Sequence, residues 1–262
     1  MTTPAFLDAL HCEWLKRRRS HGAWLVVGGA LFTPSVVLLV RLTHRAGLPA
    51  LYADPAFWTS MWRSCWESMA IFLMPLTAML ATSLVVQIEV RNHAWKQVHA
   101  LPLTAFDVYF AKFAVILLML GQFLLLFVLG IGVAAWLPAI AFHDVPWPPA
   151  AMPLRVFAAE ALGYFVDCLP IVTAQYLMSL RFDNFMAPIG IGFLAWIGGL
   201  AALSWPHAHW IPYAYPMLDY LKDEPAARIA ASAATLHGHA AAWFAVLTAA
   251  GYALFVARPD KG

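Results

Sequence analysis

Two runs of the sequence are too long and too free of charge for the core of a water-soluble domain. Residues 21–40 contain no Lys, Arg, Asp or Glu over 20 positions, and residues 68–88 contain none over 21. A helix rises about 1.5 Å per residue, so about 20 residues cross the hydrocarbon core of a bilayer, which is about 30 Å thick. Because a bilayer offers backbone groups no water, such runs predict transmembrane helices, whose hydrogen bonds are all internal.

The composition of the chain agrees with an integral membrane protein. Apolar residues make up 62% of the 262 residues and charged residues 11%, whereas a soluble domain carries about 25% charged residues. The net charge is +2 and no basic cluster is interleaved with aromatic residues, so we expect membrane lipids and no nucleic acid as partners. The cysteines are far apart and form no CxxC pair, which predicts neither a metal site nor a disulfide framework.

The apolar runs together predict an all-α integral membrane protein with one transmembrane domain over residues 1–262 and six transmembrane helices. A helix over residues 4–20 precedes them and is amphipathic. We expect it to lie on the membrane surface with its basic end towards anionic lipid headgroups. The fifth run is rich in glycine, which permits close helix packing. The predicted spans cover residues 21–42, 66–88, 106–136, 154–180, 185–205 and 238–257.

The second span carries two further signals. Pro75 lies inside it, and a proline in a transmembrane helix predicts a tolerated kink. Trp58, Trp62 and Trp66 lie at its outer approach, and tryptophans at such a position predict an aromatic belt at the membrane–water interface.

A polar stretch over residues 89–112 separates the second span from the third. Trp95 begins a set of apolar residues at helical spacing, surrounded by charged residues, which predicts one short amphipathic helix. Pro102 pushes the residue before it out of helical geometry and so ends that helix. Thr104, followed three residues later by Asp107, predicts the N-terminal cap of the next helix.

This stretch resembles the loop between the second and third spans of ABC type-2 exporter permeases. It is most similar to the branch that includes lantibiotic-immunity and peptide-resistance transporters, and the segments SLRFDNF and IPYAYP resemble the same branch. In that family the stretch is a cytoplasmic coupling helix that sits in a groove of a separate ATPase subunit. The resemblance implies that the residues coupling this chain to an ATPase are Glu89, Arg91, Trp95, Lys96 and Pro102.

The resemblance also implies what the chain assembles with and what it moves. The partners would be two copies of a separate ATP-binding subunit and a second permease chain, identical or related. The chain has no GxxxxGK[ST] phosphate loop, so we expect no cofactor in it, no enzymatic activity of its own, and ATP and Mg²⁺ bound by the partner subunit. The cargo implied is a peptide, an antibiotic or a lipid-like compound moved out of the cell.

The distribution of basic residues predicts the orientation. With the N-terminus inside, ten Lys and Arg residues fall on the cytoplasmic side and six on the other. The positive-inside rule therefore favours both termini in the cytoplasm, and we expect the chain in a bacterial cytoplasmic (inner) membrane. This orientation also places residues 89–112 on the cytoplasmic side, where an ATPase would be.

The fourth run differs from the others because it contains two carboxyl groups. Glu160 and Asp167 are seven residues apart, so they lie on one helical face. A carboxylate in the hydrocarbon costs about 2.5–3.5 kcal/mol on insertion scales and tends to face a cavity or a partner. Asp167 could serve the transport route or a moving helix interface, or it could be a buried acid that is protonated or hydrogen-bonded to a neighbouring span. For Glu160 we favour that structural role or a position near the outer surface. Gln122, an amide in the third span, belongs to the same group of candidates.

Two other functions stay open at this point. A proton-coupled secondary transporter using Asp167 and Glu160 would show an inverted repeat of broken helices, which the sequence lacks. An intramembrane enzyme would need paired aspartates, HExxH or a Ser–His pair inside the spans, so it is the weakest of the three hypotheses.

Histidines form two HxH pairs in the segment before the last span. His207 and His209 form one pair, and His237 and His239 form the other. The pairs are far apart in sequence and no further ligand pattern supports a metal site. We therefore predict a structural or solvated role for them.

Overall fold

The computed structural model describes residues 3–18, 21–91, 103–222 and 232–257. Within these ranges the chain forms helices joined by turns, with no strand, so the all-α prediction is confirmed there. A π-helical turn, Met69–Leu73, joins the fourth helix to the fifth. The α-helices, numbered α1 to α10 in chain order, are Thr3–Arg18, His21–Thr43, Leu48–Ala53, Phe57–Ser68, Met74–Arg91, Ala105–Ala141, Leu154–Arg181, Met186–Ala201, Tyr215–Leu221 and Ala233–Val256.

Five helical segments of the described chain are long and apolar enough to cross a membrane. They overlap five of the predicted spans and are His21–Thr43, Phe57–Ile88, Ala105–Ala141, Leu154–Arg181 and Ala233–Val256. The predicted span over residues 185–205 corresponds to α8, which has 16 residues. At about 1.5 Å per residue, α8 is about 24 Å long, less than the hydrocarbon thickness of about 30 Å. Six spans therefore stay a prediction.

A π-helical turn ends two residues before Pro75, the position at which the sequence predicts a kink. Proline has no N–H, so it cannot bond the carbonyl four residues earlier, which belongs to Ile71. The backbone widens over Met69–Leu73, where the N–H of Met74 bonds the carbonyl of Met69. The indole Nε1 of Trp196, in α8, donates to the carbonyl oxygen of Ile71 at 2.9 Å. The acceptor that Pro75 leaves unused is thus bonded from a neighbouring helix.

The aromatic belt predicted ahead of the second span is wrong. Trp58, Trp62 and Trp66 lie on α4, which continues into the second span, and none is more than 5% exposed. Trp62 stacks on Phe157 and Trp66 on Tyr164, each with ring centroids 3.9 Å apart. The indoles pack inside the bundle against α7 because they recur at helical spacing on the inward face of α4.

The bundle is arranged around the long helical segment Phe57–Ile88, which consists of α4, the π-helical turn and most of α5. Of the apolar window in Phe57–Ile88, 67% is buried, against 22% in His21–Thr43 and 11% in Ala233–Val256. α2 packs mainly on α6, α10 packs mainly on α7, and α5 contacts α2, α6 and α7. We call the end of the bundle where α5 ends and α6 begins the inner end, after the predicted orientation, and the opposite end the outer end.

The N-terminal helix α1 is fixed to α6 by polar contacts. The Nζ atom of Lys112 donates to Oε2 of Glu13 at 2.6 Å, and Arg17 donates to the side-chain oxygen of Gln122. Lys112 is 1% exposed and Arg17 is 8% exposed. Arg17 belongs to the basic end predicted to face lipid headgroups, and it is instead buried against α6. The position of α1 at the membrane surface stays a prediction.

Candidate functional site

The predicted coupling residues lie at or beyond the limit of the described chain. Glu89 and Arg91 belong to the last turn of α5, of which the backbone is described there. Trp95, Lys96 and Pro102 lie outside the described residues. Their role in contacting an ATPase therefore stays a prediction.

The helix that follows this segment has a well-defined start. The side chain of Thr104 accepts a hydrogen bond from the N–H of Asp107 at 3.2 Å, and the Asp107 carboxylate accepts from the N–H of Thr104 at 3.1 Å. The two residues thus form a reciprocal capping box, as their spacing predicts. α6 thus begins three residues after Pro102, the last of the predicted coupling residues.

Two turns into α6, an ion pair joins it to α1. Glu13 accepts hydrogen bonds from Lys112 and from Lys16, each at 2.6 Å. Burial raises the pKa of Glu13, but the two lysines outweigh burial and hold the pKa below its ordinary value of 4.5. Glu13 therefore stays ionised at neutral pH. Because Gln122 is bonded by Arg17, the sequence candidate on α6 lies at the interface with α1.

The two carboxyl groups of α7 have different surroundings. Asp167 is fully buried, and its Oδ1 lies 2.8 Å from Nδ1 of His237 on α10. Glu160 is exposed and accepts a hydrogen bond of 2.5 Å from the indole of Trp62. The structure thus puts Asp167 at a helix interface with a titratable partner and Glu160 near the outer end.

Two residues that were not singled out in the sequence complete the surroundings of Asp167. Asp219 on α9 is 4% exposed, and the Nζ atom of Lys222 donates to its Oδ1 at 2.7 Å. One ligand atom from each of Asp167, Asp219 and His237 lies within 4.8 Å of the others. We call these three residues and Lys222 the outer polar cluster.

A pocket of about 320 Å³ opens beside the outer polar cluster. Asp219, Lys222 and His237 line it, as do Glu160 and Tyr164 from α7. The sequence does not predict the cluster, because its members come from α7, α9 and α10 and share no regular spacing. Its one signal is that Asp167 lies inside an apolar run and His237 lies at the start of another.

A separate chain of hydrogen bonds lies further along α7 towards the inner end. The hydroxyl of Tyr213 donates to Oε1 of Gln175 at 3.2 Å, and Nε2 of Gln175 donates to Oγ of Ser83 at 2.9 Å. Ser83 in turn lies 3.2 Å from the hydroxyl of Ser179. These hydrogen bonds hold α7 to α5 and to the segment before α9. Buried polar side chains almost always have such partners.

Several apolar helices around a buried polar face define a multi-pass integral membrane protein. The family model described as ABC-2 family transporter protein matches residues 9–199, from α1 to α8, and the chain belongs to that family. Members are transmembrane components without a nucleotide-binding domain and generally work with a separate ATP-binding subunit. No curated protein sequence matches the chain.

Proposed function

We propose that the chain is the transmembrane subunit of an ABC exporter in a bacterial cytoplasmic membrane. In this proposal two copies of a separate ATP-binding subunit bind ATP and Mg²⁺ and hydrolyse ATP. A second permease chain, identical or related, completes the route, and the cargo is a peptide, an antibiotic or a lipid-like compound. The observation that carries the proposal is the family match, which extends across residues 92–102 between α5 and α6.

The helices that flank residues 92–102 support a role for this segment in coupling. On one side lies α5, the continuation of the most buried apolar helix, and on the other lies the capped start of α6. α6 also carries the buried contact between Lys112 and Glu13, so a displacement of its start would move α1 with it. Closure of the ATP-binding subunits would thus shift α5, α6 and α1 at the inner end, in the manner of a rigid-body transition.

The exposed sides of α2 and α10 support assembly with lipid and with another permease chain. Trp24 on α2 is 78% exposed, and Val246 on α10 is 60% exposed. Apolar side chains exposed along whole helices need a lipid or protein partner. A cargo with apolar character would move between two such halves more readily than a strongly hydrated one.

The contact between Asp167 and His237 favours a second candidate, a proton-coupled secondary transporter that uses Asp167 and Glu160. A buried carboxylate beside an imidazole can hold and pass a proton. Asp167 would then change its proton state during transport, and no ATPase would be needed.

Affinity purification of the tagged full-length chain in mild detergent tests the proposal. We expect a protein with a phosphate-binding loop to copurify with the wild type, and less of it with Trp95→Ala or Glu89→Ala. Trp147→Ala and Glu67→Ala are matched controls, because both residues are exposed and neither lies at the inner end. They should retain the partner. A chain that purifies alone and transports under a proton gradient would replace this proposal with the second candidate.

A further inference from the structure

The three acceptor side chains of the outer polar cluster are placed as ligands of one ion. One imidazole and two carboxylates, from α7, α9 and α10, present atoms within 4.8 Å of one another. Asp167 is fully buried and Asp219 is 4% exposed. Two carboxylates held this close and out of solvent are costly unless positive charge compensates them, and Lys222 supplies one such charge, on Asp219.

Asp167 carries the most specific sign of a missing partner. Its Oδ1 contacts His237, but its Oδ2 is buried with no hydrogen-bond partner. Buried polar atoms almost always have a partner, so an unpartnered carboxylate oxygen here indicates an ion or a water molecule that binds it. Lys222 bonds one oxygen of Asp219, which leaves the other oxygen of that carboxylate for a cation.

Gly163 explains why the imidazole lies so close to α7. A Cβ atom at this position would be 3.0 Å from both Cε1 and Nε2 of His237, tighter than ordinary contacts. The missing side chain lets the ring rest against the α7 backbone, with Nδ1 directed at Asp167. A ring held in this way is pre-oriented, which metal ligands require.

We propose that Asp167, Asp219 and His237 form a binding site for a divalent transition-metal ion of the Zn²⁺ class. One nitrogen and two carboxylate oxygens suit Zn²⁺, whereas Mg²⁺ and Ca²⁺ prefer oxygen ligands alone. Three protein ligands leave a position for water, and the pocket of about 320 Å³ lined by Asp219 and His237 supplies an entry path. The ion would fasten α9 and α10 to α7 at the outer half of the bundle.

This site goes beyond the proposed transport function and beyond the family assignment. Asp219 and His237 lie outside residues 9–199, which the family model matches. The proposal also departs from the structural or solvated role that the HxH spacing predicts for His237. It does not depend on which partner or cargo the chain has.

Zinc binding to the purified full-length chain tests the site. The protein in detergent is stripped with a chelator, titrated with ZnCl₂ by calorimetry, desalted and assayed for bound metal. We expect one Zn²⁺ per wild-type chain. Losing an outer-shell partner of a metal costs about 10–100-fold in affinity, so His237→Ala, which removes a direct ligand, should cost at least about 100-fold.

His239→Ala is the matched control, because His239 lies on the same helix and contacts the carbonyl of Thr235 rather than the cluster. It should bind Zn²⁺ like the wild type, while Lys222→Met should bind it more tightly. Asp219→Asn keeps the shape of the side chain and provides a second, milder ligand variant, and each variant is compared by gel filtration in the metal-free state. Zinc retained by folded His237→Ala and Asp219→Asn, zinc lost with His239→Ala instead, or no zinc in the wild type would each overturn the proposal.

Discussion

The indole Nε1 of Trp196 donates a hydrogen bond of 2.9 Å to the carbonyl oxygen of Ile71, four residues before Pro75. In an uninterrupted helix the N–H at position 75 would fill that acceptor. The contact therefore joins α8 to the most buried span at the place where Pro75 interrupts the backbone hydrogen bonds of that helix. Trp196 thus supplies the hydrogen bond that Pro75 cannot make, and we expect the two residues to act as a pair.

Trp196→Phe removes the donor and is expected to lower the free energy of unfolding by about 1–3 kcal/mol, the cost of an unsatisfied acceptor. In a Pro75→Ala background the new N–H can bond Ile71, so the same change should cost less than half as much. A double-mutant cycle from thermal unfolding in one detergent measures the coupling. Trp24→Phe, at a 78% exposed position, controls for loss of indole area. Equal costs in both backgrounds would contradict the pairing.

The pair of Pro75 and Trp196 shows which features of the fold the sequence predicts and which it does not. Pro75 predicts a kink, but nothing in the spacing connects it to a tryptophan 121 positions later in the chain. The capping box of Thr104 and Asp107 was predictable because its partners are three residues apart. Local signals of this kind were found, whereas the outer polar cluster depends on contacts between residues 70 positions apart.

Charge also hid the full length of the helix that contains the second span. Glu67 bounds the uncharged run over residues 68–88, so the predicted span begins beside it, at residue 66, whereas α4 begins at Phe57. Arg63 is exposed while the tryptophans of the same helix are buried, so the helix is amphipathic there and the charge does not end it. Likewise, the basic sequence around Arg17 suggested lipid contact because sequence alone does not show that Gln122 faces it.

Glycines of α8 allow a second prediction. A Cβ atom at Gly192 would overlap Oε1 of Gln175 and lie 2.9 Å from Sδ of Met79, whereas Gly190 has nothing within 4 Å. Gln175 is fully buried and bonded to Tyr213 and Ser83, so it cannot move aside freely.

Gly192→Ala should therefore destabilise the chain by about 1–3 kcal/mol, as overpacking of a core does. Gly190→Ala, two residues away, should be neutral or slightly stabilising, because alanine favours the helix by about 0.5–1 kcal/mol. Thermal unfolding of both variants in the same detergent gives the comparison. Equal midpoints would show that the bond network around Gln175 is looser than described.

The ion pair between α1 and α6 provides a third prediction. Glu13→Gln removes the carboxylate that faces Lys112, a side chain 1% exposed. Breaking a buried pair from one side costs about 3–5 kcal/mol. Lys16→Gln is the matched control, since its side chain is 36% exposed and surface pairs contribute about 0–1 kcal/mol. A Glu13→Gln variant as stable as Lys16→Gln would mean that α1 is not held by this contact.

The same carboxylate predicts a pH dependence. The pKa of Glu13 is below its ordinary value of 4.5 in the folded chain, because Lys112 and Lys16 outweigh the effect of burial. The unfolded state then binds the proton more readily, so the stabilisation is complete above pH 4.5 and is lost as the pH falls through the lower, native pKa.

Thermal midpoints measured across this acidic range should fall for the wild type and fall less for Glu13→Gln. Asp144→Asn is the control for the loss of any carboxyl group with a lowered pKa, because the hydrogen bond from Arg45 also lowers the pKa of Asp144. Both side chains of that pair are about half exposed, at 49% and 54%, so Asp144→Asn should leave most of the slope in place. A slope unchanged by Glu13→Gln would assign the acid sensitivity to other groups.

The orientation can be tested with the native cysteines. Cys12 on α1 is exposed, while Cys65 and Cys168 are buried. If both termini are cytoplasmic, a membrane-impermeant maleimide should label Cys12 in inverted vesicles and leave intact cells unlabelled. His143→Cys in a Cys12→Ser background should do the reverse, because His143 is exposed after the outer end of α6. Labelling of Cys12 in intact cells would show that the N-terminus is outside. Residues 92–102 would then lie on the side of the membrane opposite to the ATPase. A Cys12 that reacts only in detergent would place α1 within the lipid rather than at its cytoplasmic surface.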